Sequence, residues 1–155
     1  MSAMPEQVAA FLRGKRIAIA GVSRNPGQAA NAIYRKLRDA GYDALPVNPV
    51  ATKVEQVKCY HDIASIDGPL DGVIVATHPD AALSVVRQSI ARGVKQIWFH
   101  RSFGDGSVAD VAVRECGASG ISCIVGGCPL MYCAPVDFAH RCMRWWLARQ
   151  GRVPG

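Results

Sequence analysis

No run of 18 apolar residues occurs in this 155-residue chain, so no membrane span is expected. No secretory signal is expected at its start: MSAMPEQVAAFLRGK holds an acid and only a short apolar patch, and reads as a lead-in helix over Pro5 to Arg13. A cytoplasmic address follows. Charged residues make up 19% against 50% hydrophobic, which excludes a disordered chain. There is no internal repeat, low-complexity tract or linker, so residues 1–155 are read as one domain large enough to bury a core. Basic residues never run five or six together, and no nucleic-acid motif accompanies them, so no nucleic-acid partner is expected. A G-x-S-x-G elbow is also missing, which removes the serine-hydrolase reading.

Cysteine is present but poorly spaced for metal. Six occur, five of them in the last 40 residues. Cys128, Cys133, His140 and Cys142 form C-x4-C-x6-H-x-C, unlike a zinc pattern, so no metal is assigned. Without an export signal, disulfides are not expected, and several cysteines are read as core. The formal charge of +6 favours anionic partners in a general way.

What is present alternates β-like runs with helical spacing. Strands are predicted at Arg16–Ala20, Tyr42–Val47, Asp71–Thr77, within KQIWFH (95–100) and within ISCIV (121–125). VKCY (57–60) reads as a brief extra strand and DIASI (62–66) as a single turn. Helices are predicted after the first strand (Ala30, Ile33, Tyr34 and Leu37 on one face), over Asp80–Arg92, within SVADVAVREC (107–116) and within VDFAHRCMRWWLARQ (136–150). Such βαβ units imply a Rossmann-like, doubly wound α/β fold. Its mostly parallel sheet would have five or six strands, with helices on both faces and a crevice at the strands' carboxyl ends.

The turn after the first strand lacks two of the three fingerprint glycines. It reads Gly21, Val22, Ser23, Arg24, Asn25, Pro26. One glycine allows a tight bend, the helix start that follows favours anions, and Arg24 adds a fixed charge. The second strand ends Val47, Asn48, Pro49, without the acid that accepts from an NAD ribose. At an effective dielectric of about 20, a carboxylate some 4 Å from a phosphate charge costs roughly 4 kcal/mol. A neutral residue there suits a ligand that carries a 3′-phosphate. NADP stays open as the alternative, with Arg24 or Lys53 on its ribose phosphate and the chain an oxidoreductase or its cofactor-binding subunit. A third reading is an interaction module with a vestigial nucleotide site.

GVSRNPG, PVNP, KCYHDIASI, DGVIVATHPDAA, RGVKQIWFH and GISCIVGGCPL, in that order, resemble small stand-alone CoA-binding proteins. These are similar to the N-terminal CoA-binding domain of the succinyl-CoA synthetase alpha subunit. The resemblance spans about residues 10 to 133 and implies coenzyme A as ligand. It places Ser23, Arg24, Asn25 and Pro26 on the CoA phosphates, and Val47, Asn48 and Pro49 beside the adenosine, with Lys53 as a further phosphate candidate. Thr77, His78 and Pro79 fall along the pantetheine path, and Phe99, His100 and Arg101 match the next strand end. The exit HRSFGDG departs from the family's amide-bearing turn, and nothing matches the synthetase's phosphohistidine segment. No acid, base and nucleophile converge, so the expectation is binding of CoA or an acyl-CoA without an identifiable catalytic centre. Cys128 falls just past the last strand, where a mixed disulfide with the CoA thiol is a further hypothesis. The final helix, with Phe138, Cys142, Trp145 and Trp146 near one face, suits packing on the sheet or a homodimer contact.

Overall fold

The computed structural model describes residues 3–102, 104 and 106–155. The β-branched and alanine run Arg16–Ala20 forms β1, buried from Ile17 onward on both faces, as a central parallel strand requires. Around it lie β2 (Asp43–Val47), β5 (Gly72–Val75), β6 (Gln96–Phe99) and β7 (Ser122–Val125) in the order β2-β1-β5-β6-β7. All four pairings are parallel, so the sheet has five strands, the lower of the two expected numbers. VKCY contributes only β4 (Val57–Lys58), which pairs antiparallel with β3 (Lys53–Val54) in a separate hairpin. Glu55 and Gln56 turn that hairpin with φ of 48° and 64°, as a two-residue connection matching strand twist demands.

Alternation along the strands builds two cores. Ile17, Ile19, Ile74, Trp98 and Ile124 face Val8 and Phe11 of α1 (Glu6–Arg13), Ile33 and Leu37 of α2 (Ala29–Asp39), and Leu147 of α5 (Phe138–Arg149). Ala18, Val73, Val75, Ile97 and Phe99 face Ala82 and Val86 of α3 (Pro79–Ala91), and Ala112 and Cys116 of α4 (Asp110–Ala118). Trp98 anchors the first core. Its ring meets Phe11 edge-on at 5.5 Å, and its Nε1–H donates to the Gly126 carbonyl at 2.9 Å. Pro79 opens α3, one residue before the predicted start, because its missing N–H is unneeded in the first turn.

Disulfides were not expected, and the structure corrects this. Cys116 at the end of α4 and Cys123 in β7 are joined as a disulfide. The tight helix-to-strand reversal through Gly120 (φ 73°) sets their Cα atoms 6.6 Å apart. Cys59, Cys128 and Cys133 are free and buried, and Cys142 is free and exposed.

Beyond β2, the main chain of Tyr60 closes the sheet margin. The Tyr60 N–H donates to the Pro46 carbonyl at 3.0 Å, and the Tyr60 carbonyl accepts from the Asn48 N–H at 2.9 Å. From β1 the chain winds outward to β2, then crosses to β5 on the other side. The carboxyl ends of β1 and β5 therefore flank the switch point where open α/β sheets form ligand crevices.

Candidate functional site

Gly21 leaves β1 at φ 109° and passes directly over the end of β5. A Cβ there would lie 2.2 Å from the Ala76 carbonyl oxygen, so close backbone approach and dihedral both require glycine. Val22 then turns inward, fully buried, and Ser23–Pro26 form the outward loop. That loop holds itself: the Asn25 N–H donates to Ser23 Oγ at 3.1 Å, and the Gly27 N–H to Asn25 Oδ1 at 3.0 Å.

A residue absent from the sequence reading fixes the loop to its helix. Asn31, 1% exposed, accepts from the Ser23 N–H at 2.9 Å and donates Nδ2 to the Ser23 carbonyl at 2.8 Å. The same Nδ2 donates to Glu55 Oε1 at 2.8 Å, and Arg35 donates to that oxygen at 2.6 Å and to the Pro26 carbonyl at 3.1 Å. The β3–β4 hairpin and the loop are therefore one hydrogen-bonded unit. The available signal was a polar residue beside the apolar stripe of Ala30, Ile33, Tyr34 and Leu37.

Gln28 caps α2 without a side-chain bond, and the amides of Ala29 and Ala30 have no partner among the described residues. Arg24 is exposed and also makes no hydrogen bond or ion pair among those residues. Two free amides, a helix dipole and an unpaired guanidinium are the chemistry of an anion site. Glu55, the acid joined to this loop, is held by Arg35.

The other predicted residues take several roles. Val47 is buried at the end of β2, and Pro49 is exposed beyond it. The Asn48 side chain is committed internally: Nδ2 donates to the Val22 carbonyl at 3.0 Å, and Oδ1 accepts from Val50 and Ala51 N–H groups at 2.9 and 3.0 Å. It braces one loop against the other. Lys53 is exposed at the start of β3. His78 caps α3, accepting from the Asp80 N–H at 3.4 Å, and Thr77 Oγ1 donates to the His78 carbonyl at 3.0 Å. Gly21, Val47, Pro49 and Thr77 meet around a cleft of about 130 Å³. Its far wall is His61, Asp62 and Ile63 with Ser84, Val85 and Gln88 of α3, none of which was assigned to the site from sequence. Gln88 Oε1 accepts from the Ile63 N–H at 2.8 Å, and Arg92 bonds the carbonyls of Ile63, Ala64, Ile66 and Gly68, so the wall moves with α3.

At the end of β6, Phe99 belongs to the core beneath α3 and α4. Arg101 holds its Nε buried without a hydrogen-bond partner among the described residues. Phe103 and Asp105 of the exit turn lie outside the described residues. His100 is 8% exposed, and burial pushes its pKa from 6.5 down to about 4. Between pH 6.5 and 4 the unfolded chain takes up a proton that the folded chain refuses. Stability therefore falls with pH in that window, by about 3 kcal/mol on reaching pH 4. Urea titrations of the protein and of His100→Gln at pH 7 and pH 4 check this. The variant should lose less stability on acidification by about that amount, and parallel losses would refute it.

Cys128 does not suit the mixed-disulfide hypothesis. It is 4% exposed, and burial raises its thiol to about 11, so the reactive thiolate is suppressed at neutral pH. Among the described residues no cluster of three metal-capable side chains occurs, and no helix is long and apolar enough to cross a membrane. His140 instead bonds Asp137 Oδ2 through Nδ1 at 2.6 Å.

The CoA binding domain family matches residues 15–134. The uncharacterised protein YneT of Bacillus subtilis (strain 168) is 31% identical over 86 residues, 56% of this chain and 64% of that protein. An acetate–CoA ligase (ADP-forming) of Methanocaldococcus jannaschii is 26% identical over 81 residues, 52% of this chain but 12% of the ligase. The chain thus spans under two thirds of one curated relative and about an eighth of the other. A hypothetical protein from Pyrococcus horikoshii OT3 superposes with a TM-score of 0.74 at 26% identity, covering 83% of this chain and 94% of that one.

Proposed function

This chain belongs to the CoA binding domain family, of the succinyl-CoA synthetase alpha type that its motifs resemble, and from that membership we propose that it binds coenzyme A or an acyl-CoA as a stand-alone module. The observation that carries the proposal is the Ser23–Pro26 loop. It is pinned by Asn31 at the start of α2, where two amides and Arg24 have no partner among the described residues. The diphosphate of CoA would sit there, stabilised by the helix start and the guanidinium. The adenosine would lie against Val47 and Pro49 at the cleft, where β2 ends without a carboxylate and Asp62 of the far wall is engaged by the Ser65 N–H at 2.7 Å, and Lys53 of the adjoining hairpin would meet the 3′-phosphate. The pantetheine arm would run past Thr77, His78 and Pro79. The Nε of Arg101, without a hydrogen-bond partner among the described residues, would suit an amide carbonyl of that arm. The role is binding, with no reaction assigned to it.

Calorimetry and thermal shift with CoA, acetyl-CoA, NAD and NADP in parallel test the reading. A ligand at a hundred times its Kd stabilises the fold by about 2.7 kcal/mol. We expect that response from CoA or acetyl-CoA and none from the nicotinamides. A response to NADP alone would replace this reading with the dinucleotide one, and silence from all four would leave the site vestigial. Arg24→Ala should weaken CoA about tenfold, or 1.4 kcal/mol, with stability unchanged because the exposed side chain makes no hydrogen bond or ion pair among the described residues. Unaltered affinity would remove Arg24 from the site.

A further inference from the structure

Helix α5 lies beyond residues 15–134, so the family's ligand site does not account for it. Leu147 is buried and Met143 packs against the same core. The opposite face carries what surface helices normally hide: Phe138 is 79% exposed, and Trp145 and Trp146 are each 54% exposed. At 100° per residue, Phe138, Cys142, Trp145, Trp146 and Arg149 form one stripe along the helix. Phe138, Arg141, Cys142 and Trp145 enclose a groove of about 200 Å³, and the Arg149 guanidinium stacks on the Trp145 ring at 4.0 Å.

We propose that this face is a self-association surface, covered by the same face of a second copy packed antiparallel. Three observations select that occupant. First, groove and protruding ring occur on one patch, Trp146 standing beside the hollow between Phe138 and Trp145, which is the self-complementarity a two-fold interface needs. Second, the charges match end to end. Asp137, exposed at the helix start, would face Arg149 of the second copy, and Arg141 would reach the second copy's tryptophans as a cation–π partner. Antiparallel packing also opposes the two helix dipoles. Third, the area is right for the apolar centre of an interface. At roughly 200 Å² per aromatic side chain, the exposed fractions give about 370 Å². That is close to half of the roughly 800 Å² per partner in a standard interface, the remainder being a polar rim.

A lipid surface fits less well. An interfacial helix sets its basic residues opposite its apolar face, whereas here the opposite face is buried on the domain and Arg149 shares the aromatic stripe.

Light scattering on the eluting protein at about 100 μM, above a micromolar Kd, tests the proposal. The expected mass is twice the 16.6 kDa of one chain. Phe138→Lys combined with Trp145→Glu should halve the apparent mass with the circular dichroism unchanged, since both side chains project from the surface. A short bismaleimide should link two chains through Cys142, and Cys142→Ser should abolish the link while leaving the dimer. Monomeric protein at that concentration overturns the proposal, as does a dimer that survives the double substitution. Monomeric protein that sediments with phosphatidylserine vesicles would likewise overturn it and assign the face to lipid.

Discussion

Alanine at position 21 is expected to destabilise the fold by about 4 kcal/mol. Two effects combine. The residue holds φ at 109°, which L side chains rarely adopt. The added methyl would also lie 2.2 Å from the Ala76 carbonyl oxygen and 2.7 Å from its carbon. Those are backbone atoms of the neighbouring strand's exit, so no side chain can swing aside. Relief requires prising β1 from β5 where their carboxyl ends frame the crevice. Gly41 separates the two effects. Its φ is 90°, but a Cβ there meets nothing within 4 Å. Gly41→Ala should therefore cost only the dihedral term, about 1 kcal/mol. Urea denaturation of both variants measures the difference at constant m. Equal losses would mean that the contact with Ala76 is unimportant.

Asn31→Leu is expected to cost nearly as much, about 4 kcal/mol, and to weaken CoA about a hundredfold. Its amide satisfies both the N–H and the carbonyl of Ser23 and one oxygen of Glu55. Leucine fills similar space but leaves these groups without their partner in a partly buried position. The affinity loss follows because the loop's direction is set by those two bonds, not by the loop's own turn alone. Asn31→Asp makes the cause visible. It keeps the acceptor for the Ser23 N–H while losing the donor to the Ser23 carbonyl and to Glu55 and adding a second carboxylate. Loss of stability without loss of affinity in Asn31→Leu would show that the Ser23–Pro26 loop does not bind the ligand.

Much of the architecture was legible because short-range pattern and burial agree. Arg16–Ala20 is a strand by composition, and its position between two others buries both faces as that composition demands. VKCY does form a brief strand over Val57–Lys58, but a β-like tetrapeptide does not specify a partner; a two-residue turn at Glu55 and Gln56 gave it a local one. At the candidate site, Gly21, Arg24 and Pro49 could be singled out because turns advertise their residues. Asn48 was singled out for its lack of charge, but its amide serves the backbone of two loops. Asn31, His61 and Gln88 were missed for a different reason. Each matters through a partner far along the chain, and nothing local in a helix or loop announces which polar residue will be buried. Cys116 and Cys123 show the same limit, their pairing being set by how the chain reverses between helix and strand.

The margin beside β2 has a bearing on solution behaviour. Pro46 offers no N–H there, and its carbonyl is already engaged by Tyr60. A free chain seeking to add itself as a new strand would find that flank short of a donor at Pro46 and already engaged at Pro46 and Asn48, which disfavours ribbon extension on this side.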